Sequence, residues 1–250
     1  MTVIVGIPIC ESKSYILDKF LANQMEIKAR YPDSQIIFAV ENTPPERGFA
    51  KRANLENYGT VVYWQPITRR PFWLKNIASA REVIRELAVI MDADYLMVCD
   101  CDMTYEPDLI NLMLAHTKGK DAVFSAYRVR PHGTWGWGTS PSLLSRELLS
   151  MIHYRCIVWA DKRFLCEDQM LDYDMFLLGA KIARGAYVSN THHAASDKPL
   201  VLDVPIKIHW WRYLMISLPV RFLAIGVSQI FHYDFTWAIY KISHVWMRIP

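Results

Sequence analysis

Four short apolar runs, Val3–Ile9, Gln35–Val40, Val61–Trp64 and Tyr95–Cys99, constrain the fold of this chain more than any other feature. A strand with one face in water alternates apolar and polar residues. These runs are nearly continuous, so each predicts a strand covered on both faces. Between them apolar residues return at helical spacing. Leu17, Phe20, Leu21 and Met25 predict one helix. Ile77, Ala80, Ile84, Leu87 and Met91 predict a second, with Arg81, Glu82, Arg85 and Glu86 as its polar side. The order strand, helix, strand, strand, helix, strand predicts an α/β fold with a mostly parallel central sheet flanked by helices.

Ligands of such sheets gather beyond the carboxyl ends of the strands. Pro8, Cys10 and Glu11 close the first predicted strand, Glu41 and Asn42 the second, and Asp100 and Asp102 the fourth. These residues therefore converge on one edge of the sheet. The chain has material for a core beneath that edge: 250 residues, 52% of them hydrophobic and 21% charged, with a net charge of +3. That composition excludes a disordered chain, and the scattered Lys and Arg argue against a nucleic-acid partner. Cys10, Cys99, Cys101, Cys156 and Cys166 are odd in number and contain no C-x-x-C pair. Neither a disulfide framework nor a zinc ribbon is indicated, and a reducing, cytoplasmic compartment is expected. The chain enters a strand pattern at once, TVIVGIPI, and no secretory leader is expected.

The second half is less regular. Residues 121–127 predict a strand, residues 130–140 (RPHGTWGWGTS) a loop, and residues 145–153 and 168–179 helices. From Val204 onward the chain is aromatic and basic, with Trp210, Trp211, Arg212, Arg221, Trp237, Lys241 and Trp246. Residues 213–231 are about long enough to span a bilayer, but Pro219 and Arg221 lie near the middle. A charge there costs roughly 2.5–3.5 kcal/mol, so this stretch is expected to lie on a membrane or pack within the protein. The division expected is a main domain over 1–203 and a tail over 204–250 of amphipathic, interfacial helices.

Asp100 and Asp102 stand one residue apart where an apolar run ends, in YLMVCDCDMTYEPDLI, residues 95–110. Three chemistries fit them. They suit a hard divalent cation such as Mg²⁺ or Mn²⁺ held between the protein and a diphosphate, since such ions take carboxylate and phosphate oxygens. They suit a nucleophile with a partner acid. They also suit a plain turn cap.

The residues around the pair carry a resemblance. VIVGIPIC, IIFAVEN, NIASAREVI, DADYLMVCDCDMTYEPDLI, GTSPSLLSRELL and CEDQMLDYDMFLLGAKI follow one another in an order that resembles the family 2-like glycosyltransferases of the GT-A fold, over roughly residues 2–195. The resemblance implies a nucleotide-sugar donor, UDP- or GDP-linked, and a glycan or lipid-linked acceptor. It implies that Pro8, Glu11, Glu41, Arg81 and Asp100 serve the nucleotide side, that Asp102 holds the metal with Asp100 beside it, and that His192 or His193 completes the metal shell. It implies that Asp168 of the E-D pair is the base of an inverting reaction, with Glu167 beside it on the acceptor side, raising its pKa by repulsion. HWWRY, residues 209–213, is similar to a degenerate Q-x-x-R-W motif of the cellulose-synthase-like branch, with His209 in place of Gln and Tyr213 in place of Trp, and this likeness implies that Arg212 meets the diphosphate.

Each assignment has a plainer counterpart. Asp168 suits a helix N-cap, His192 and His193 a polar surface loop, and Arg81 a tertiary ion pair or solvated charge. Lys75, Arg69 and Arg70 suit solvated surface as well as donor steering. Trp135 and Trp137 suit core packing as well as an acceptor sugar or lipid. VCDCDMT also fits the D-x-D-x-T of a haloacid-dehalogenase-like phosphatase, although that motif normally ends a first strand. A non-catalytic membrane-surface module is the third alternative.

Overall fold

A computed structural model of the chain describes residues 1–66, 73–128, 135–158, 164–186, 188–193 and 200–201. Its strands are β1 (Val3–Ile9), β2 (Gln35–Glu41), β3 (Thr60–Trp64), β4 (Tyr95–Val98), β5 (Met103–Tyr105), β6 (Ala122–Arg128), β7 (Trp135–Ser145), β8 (Ile157–Val158), β9 (Phe164–Leu165), β10 (Ile182–Ala186), β11 (Asn190–His192) and β12 (Leu200–Val201). Its helices are α1 (Leu17–Arg30), α2 (Pro44–Arg52), α3 (Trp73–Ile90), α4 (Leu109–Leu114), α5 (Arg146–Leu149) and α6 (Glu167–Leu177). Residues 1–126 and 137–203 form one compact unit, which carries the site described below.

The main sheet runs β10-β6-β7-β4-β1-β2-β3. β1 pairs in parallel with both β2 and β4, β2 with β3 and β6 with β10, whereas β7 runs antiparallel to β4. The sheet is mostly parallel, as the unbroken apolar runs require: six of the seven residues of β1 are buried. A second, smaller sheet, β12-β11-β5, receives the chain directly after Asp102 and pairs Met103 with His192.

α3 lies close on the sheet because β1 carries a glycine beneath it. A Cβ at Gly6 would stand 2.2 Å from Ile84 Cγ2, closer than any packed pair of carbons. Ile84 is one helical turn beyond Arg81, on the same face. The close approach at Gly6 therefore brings Arg81 down to the end of β4. The charged residues expected on the outer side of this helix behave differently: Arg81 is 4% exposed and Arg85 is 6% exposed. Both are tolerated inside because acceptors meet them. Arg85 donates to Glu82 (2.7 and 2.9 Å) and to the Leu149 carbonyl (2.8 Å).

Two other expectations change. The Gly- and Trp-rich stretch read as loop contains, from Trp135 onward, the strand β7, whose far end pairs Leu144 with Leu96 and Ser142 with Val98. Within residues 145–153 only Arg146–Leu149 is helical. The apolar residues Leu148, Leu149 and Ile152 are all buried in the core, so their spacing reports burial rather than a long helix. α2 was not anticipated, because its sequence PPERGFAKR looks like loop. Proline is tolerated in a first helical turn, where the missing amide has no partner to lose.

Candidate active site

Asp100 follows β4 at the carboxyl edge of the parallel strands. Its amide donates to Ser140 Oγ of β7 at 2.7 Å, and Ser140 Oγ lies 2.8 Å from the Tyr105 hydroxyl. The antiparallel neighbour strand thus pins the turn that presents the acid. Its carboxylate accepts from Arg81 Nη2 at 2.9 Å. From the first turn of α6, Asp168 Oδ1 accepts from Arg81 Nη1 at 2.7 Å and Glu167 Oε1 from the same nitrogen at 3.1 Å. One buried guanidinium thereby joins three acids from two distant segments, a task suited to its planar fork of donors.

The three acids are not equivalent. The Glu167 side chain is 6% exposed, those of Asp168 and Asp100 41% and 38%. Burial lifts the Glu167 carboxyl to about 7, against the pull of Arg81 and with the neighbouring Asp168 adding to the rise. Burial also lifts Asp100, with Arg81 opposing and Asp102 and Asp168 adding. Burial draws the Arg81 pKa down, but Asp100, Asp168 and Glu167 together carry it well above its ordinary value. Glu167 Oε1 faces Arg81, and its Oε2 lies 3.8 Å from Cys156 Sγ. Cys166, rather than Asp168, is the N-cap of α6, and Gln169 Oε1 accepts from its amide at 3.2 Å. Both acids lie in the first turn, where the helix dipole favours negative charge.

Asp102 is held separately. Its Oδ2 accepts from Lys13 Nζ at 2.6 Å and lies 3.5 Å from His192 Nε2. Burial would raise this carboxyl, but His192 and Lys13 outweigh it and bring it down to about 2. The two histidines part company. His192 presents its ring to Asp102. His193 is 7% exposed, with Nε2 2.9 Å from Thr104 Oγ1, its amide donating to the Asp102 carbonyl at 2.8 Å and its own carbonyl accepting from the Tyr15 hydroxyl at 2.8 Å. Burial lowers the His193 pKa, with Lys19 and His192 adding. Its bonds tie β11 to β5 and to the turn after β1.

Among the described residues no three His, Cys, Asp or Glu side chains form a ready-made metal cage. Asp102 and His192 offer two ligands on one side, the arrangement of sites where substrate phosphate and water complete an octahedron. Three carboxylates sharing one guanidinium beside Asp102 also leave negative charge for a cation to balance. The residues present therefore fit Mg²⁺ or Mn²⁺.

The remaining candidates fall on other elements or outside the described residues. Pro8, partly buried in β1, pairs across to Ala39, and Glu41 closes β2 opposite Trp64. The Glu11 amide donates to Glu46 Oε2 at 2.8 Å and its carboxylate bridges to Arg52. Trp135 and Trp137 belong to β7, but their side chains lie outside the described residues, as does that of Lys75. Arg69, Arg70, Arg212 and the whole tail 204–250 also lie outside the described residues. Lys13, Ser140 and Tyr105 escaped the sequence reading. Lys13 stood within CESKSY, immediately after the first strand, yet nothing local linked it to an acid 89 positions away.

No protein-family profile matches the chain, and no curated protein does. Solved structures do. TarS of S. aureus superposes with a TM-score of 0.53 and 14% identity, over 94% of this chain and 44% of TarS. S. aureus TarS 1–349 in complex with UDP-GlcNAc gives 0.51 and 13%, over 91% of this chain and 67% of that one. A mycobacterial protein gives 0.51 and 15%, over 78% and 68%. At such identities the likeness is one of fold. The chain has the GT-A fold of the nucleotide-diphospho-sugar transferases, with its mostly parallel sheet flanked by helices.

Proposed function

We propose that the protein is a glycosyltransferase that moves a sugar from a UDP- or GDP-linked donor to an acceptor hydroxyl, with Mg²⁺ or Mn²⁺ and with inversion at the anomeric carbon. One observation carries this reading: Arg81 bonds Asp100 at the end of β4 and Asp168 at the start of α6, 2.9 and 2.7 Å away. The acid that faces the donor and the acid that would take a proton are thereby kept within the span of one side chain. Pro8, Glu11, Glu41 and Asp100 line the nucleotide side. Asp102 and His192 hold the divalent cation, which when bound supplies positive charge against the departing diphosphate. Asp168 takes the proton of the acceptor hydroxyl; Arg81 on Oδ1 sets the direction its carboxylate faces. Its exposure supports this role, because a base must meet its substrate, whereas Glu167 is enclosed. The phosphatase reading would make Asp100 a nucleophile, and the fold does not favour it.

Thermal shift against UDP-, GDP- and dTDP-sugars, with and without Mn²⁺, tests the reading. A ligand at a hundred times its Kd adds about 2.7 kcal/mol to the folded state, so one nucleotide series should raise the melting temperature clearly in Mn²⁺. No shift with any nucleotide, together with hydrolysis of a phosphate monoester, would return the site to the phosphatase class.

Trp135, Trp137 and a glycan or lipid-linked acceptor complete the proposal, with Arg212 reaching the diphosphate. Residues 204–250 hold the protein peripherally at the cytoplasmic membrane face, a reading supported by their Trp-rich, basic composition. Protein lacking 204–250 should no longer sediment with anionic liposomes. Unchanged partitioning would assign the tail to core packing or a dimer interface.

A further inference from the structure

Lys13 lies in the helical turn Glu11–Ile16 that leaves β1, with its side chain 34% exposed. Its Nζ bonds Asp102 Oδ2 at 2.6 Å, and the same oxygen faces His192 Nε2 at 3.5 Å. This oxygen is the one that Asp102 would offer to a cation shared with His192. A divalent ion of this class binds oxygen at about 2.0–2.1 Å and demands a near-octahedral shell. An ammonium already bonded to that oxygen competes with the cation for it. Two positive centres on one carboxylate oxygen also repel.

We propose that Lys13 is a displaceable counter-cation: it holds Asp102 while the site is unloaded, yields that oxygen to the divalent metal, and turns its ammonium to the donor diphosphate. The proposal rests on the metal reading of Asp102 and adds what controls that metal's binding. Lysine suits the task. Its charge sits on a flexible four-carbon stem with three donors and can change partner without moving backbone. The bond to Lys13 holds the Asp102 side chain in place while the site is unloaded. The cost is a higher metal threshold, because each cation that binds must first break this pair.

The test is Mn²⁺ binding to the whole protein, followed by electron paramagnetic resonance, with and without UDP or GDP. Lys13→Met removes the charge and keeps most of the stem; Lys13→Gln is a second neutral variant should the first fold poorly. Both should bind Mn²⁺ up to about fivefold more tightly than wild type in the absence of nucleotide, the size expected when a competing ion pair is lost. Both should also bind the nucleoside diphosphate several-fold more weakly at saturating Mn²⁺, and Lys13→Arg should stay close to wild type. Unchanged or weaker Mn²⁺ binding in the neutral variants overturns the proposal, and so does unchanged diphosphate affinity. Asp102→Asn separates this failure from that of the underlying reading. If it loses Mn²⁺ while the Lys13 variants match wild type, the metal site stands and the displacement is wrong. If it binds Mn²⁺ like wild type, or no form of the protein binds it, the metal is not at Asp102 and both readings fall.

Discussion

Asp168→Asn should lower turnover by about 10²–10⁴-fold, the range in which a positioned general base contributes, while nucleotide-sugar affinity stays near the wild-type value. The replacement keeps the shape of the side chain and an oxygen for Arg81 Nη1, which Asp168 now meets at 2.7 Å. What it loses is the capacity to accept a proton. A change confined to kcat, with donor binding intact, is the signature of a group that acts in the transition state. Isothermal titration with the donor nucleotide and a steady-state assay separate the two quantities. Turnover within tenfold of wild type would remove Asp168 from the base role and leave it an ion-pair partner of Arg81.

Arg81→Met should destabilise the fold by about 3–5 kcal/mol well above neutral pH, the usual result of stripping one partner from a buried ionic cluster. Most of that penalty belongs to Glu167, since Asp100 and Asp168 retain solvent. The pH dependence identifies the source. A carboxyl raised by folding contributes stability that is fully present below its ordinary value of 4.5 and is lost as pH rises through the folded value, here about 7. Removing the guanidinium raises Glu167 further. The difference between Arg81→Met and wild type should therefore stay level up to about pH 7 and grow above it, where wild-type Glu167 ionises and the variant's does not. Urea denaturation across that range measures it. A difference that does not vary with pH would mean that Glu167 does not bear the cost.

The continuous apolar runs made β1 to β4 legible because strands buried on both faces leave no other pattern. β5 and β11 were not legible, since three residues carry no periodicity. Arg81 shows where pattern reasoning inverts. Helical spacing assigns a charge to the solvent side, and here that side is covered by Asp100, Glu167 and Asp168, whose arrival depends on the rest of the fold. Asp100, Asp102, Asp168 and Arg81 were all visible as motif positions, and a tertiary ion pair was one reading of Arg81; which acids it joins was not legible. The same holds for His192 and His193: adjacent residues in a strand point to opposite faces, and only the pairing of β11 with β5 decides which one meets Asp102.

The grip of α3 on both acids has a bearing on how such a chain can change. Between Asp100 and Asp168 lie β5 to β9 and the stretches connecting them, yet the spacing of the two acids is set from outside that interval by Arg81. The interval is therefore released from measuring the distance itself. Loops within it can lengthen, shorten or be exchanged while Asp100 and Asp168 keep their separation. A single arginine on a helix seated over Gly6 thus divides the chain into a fixed gauge and a replaceable insert.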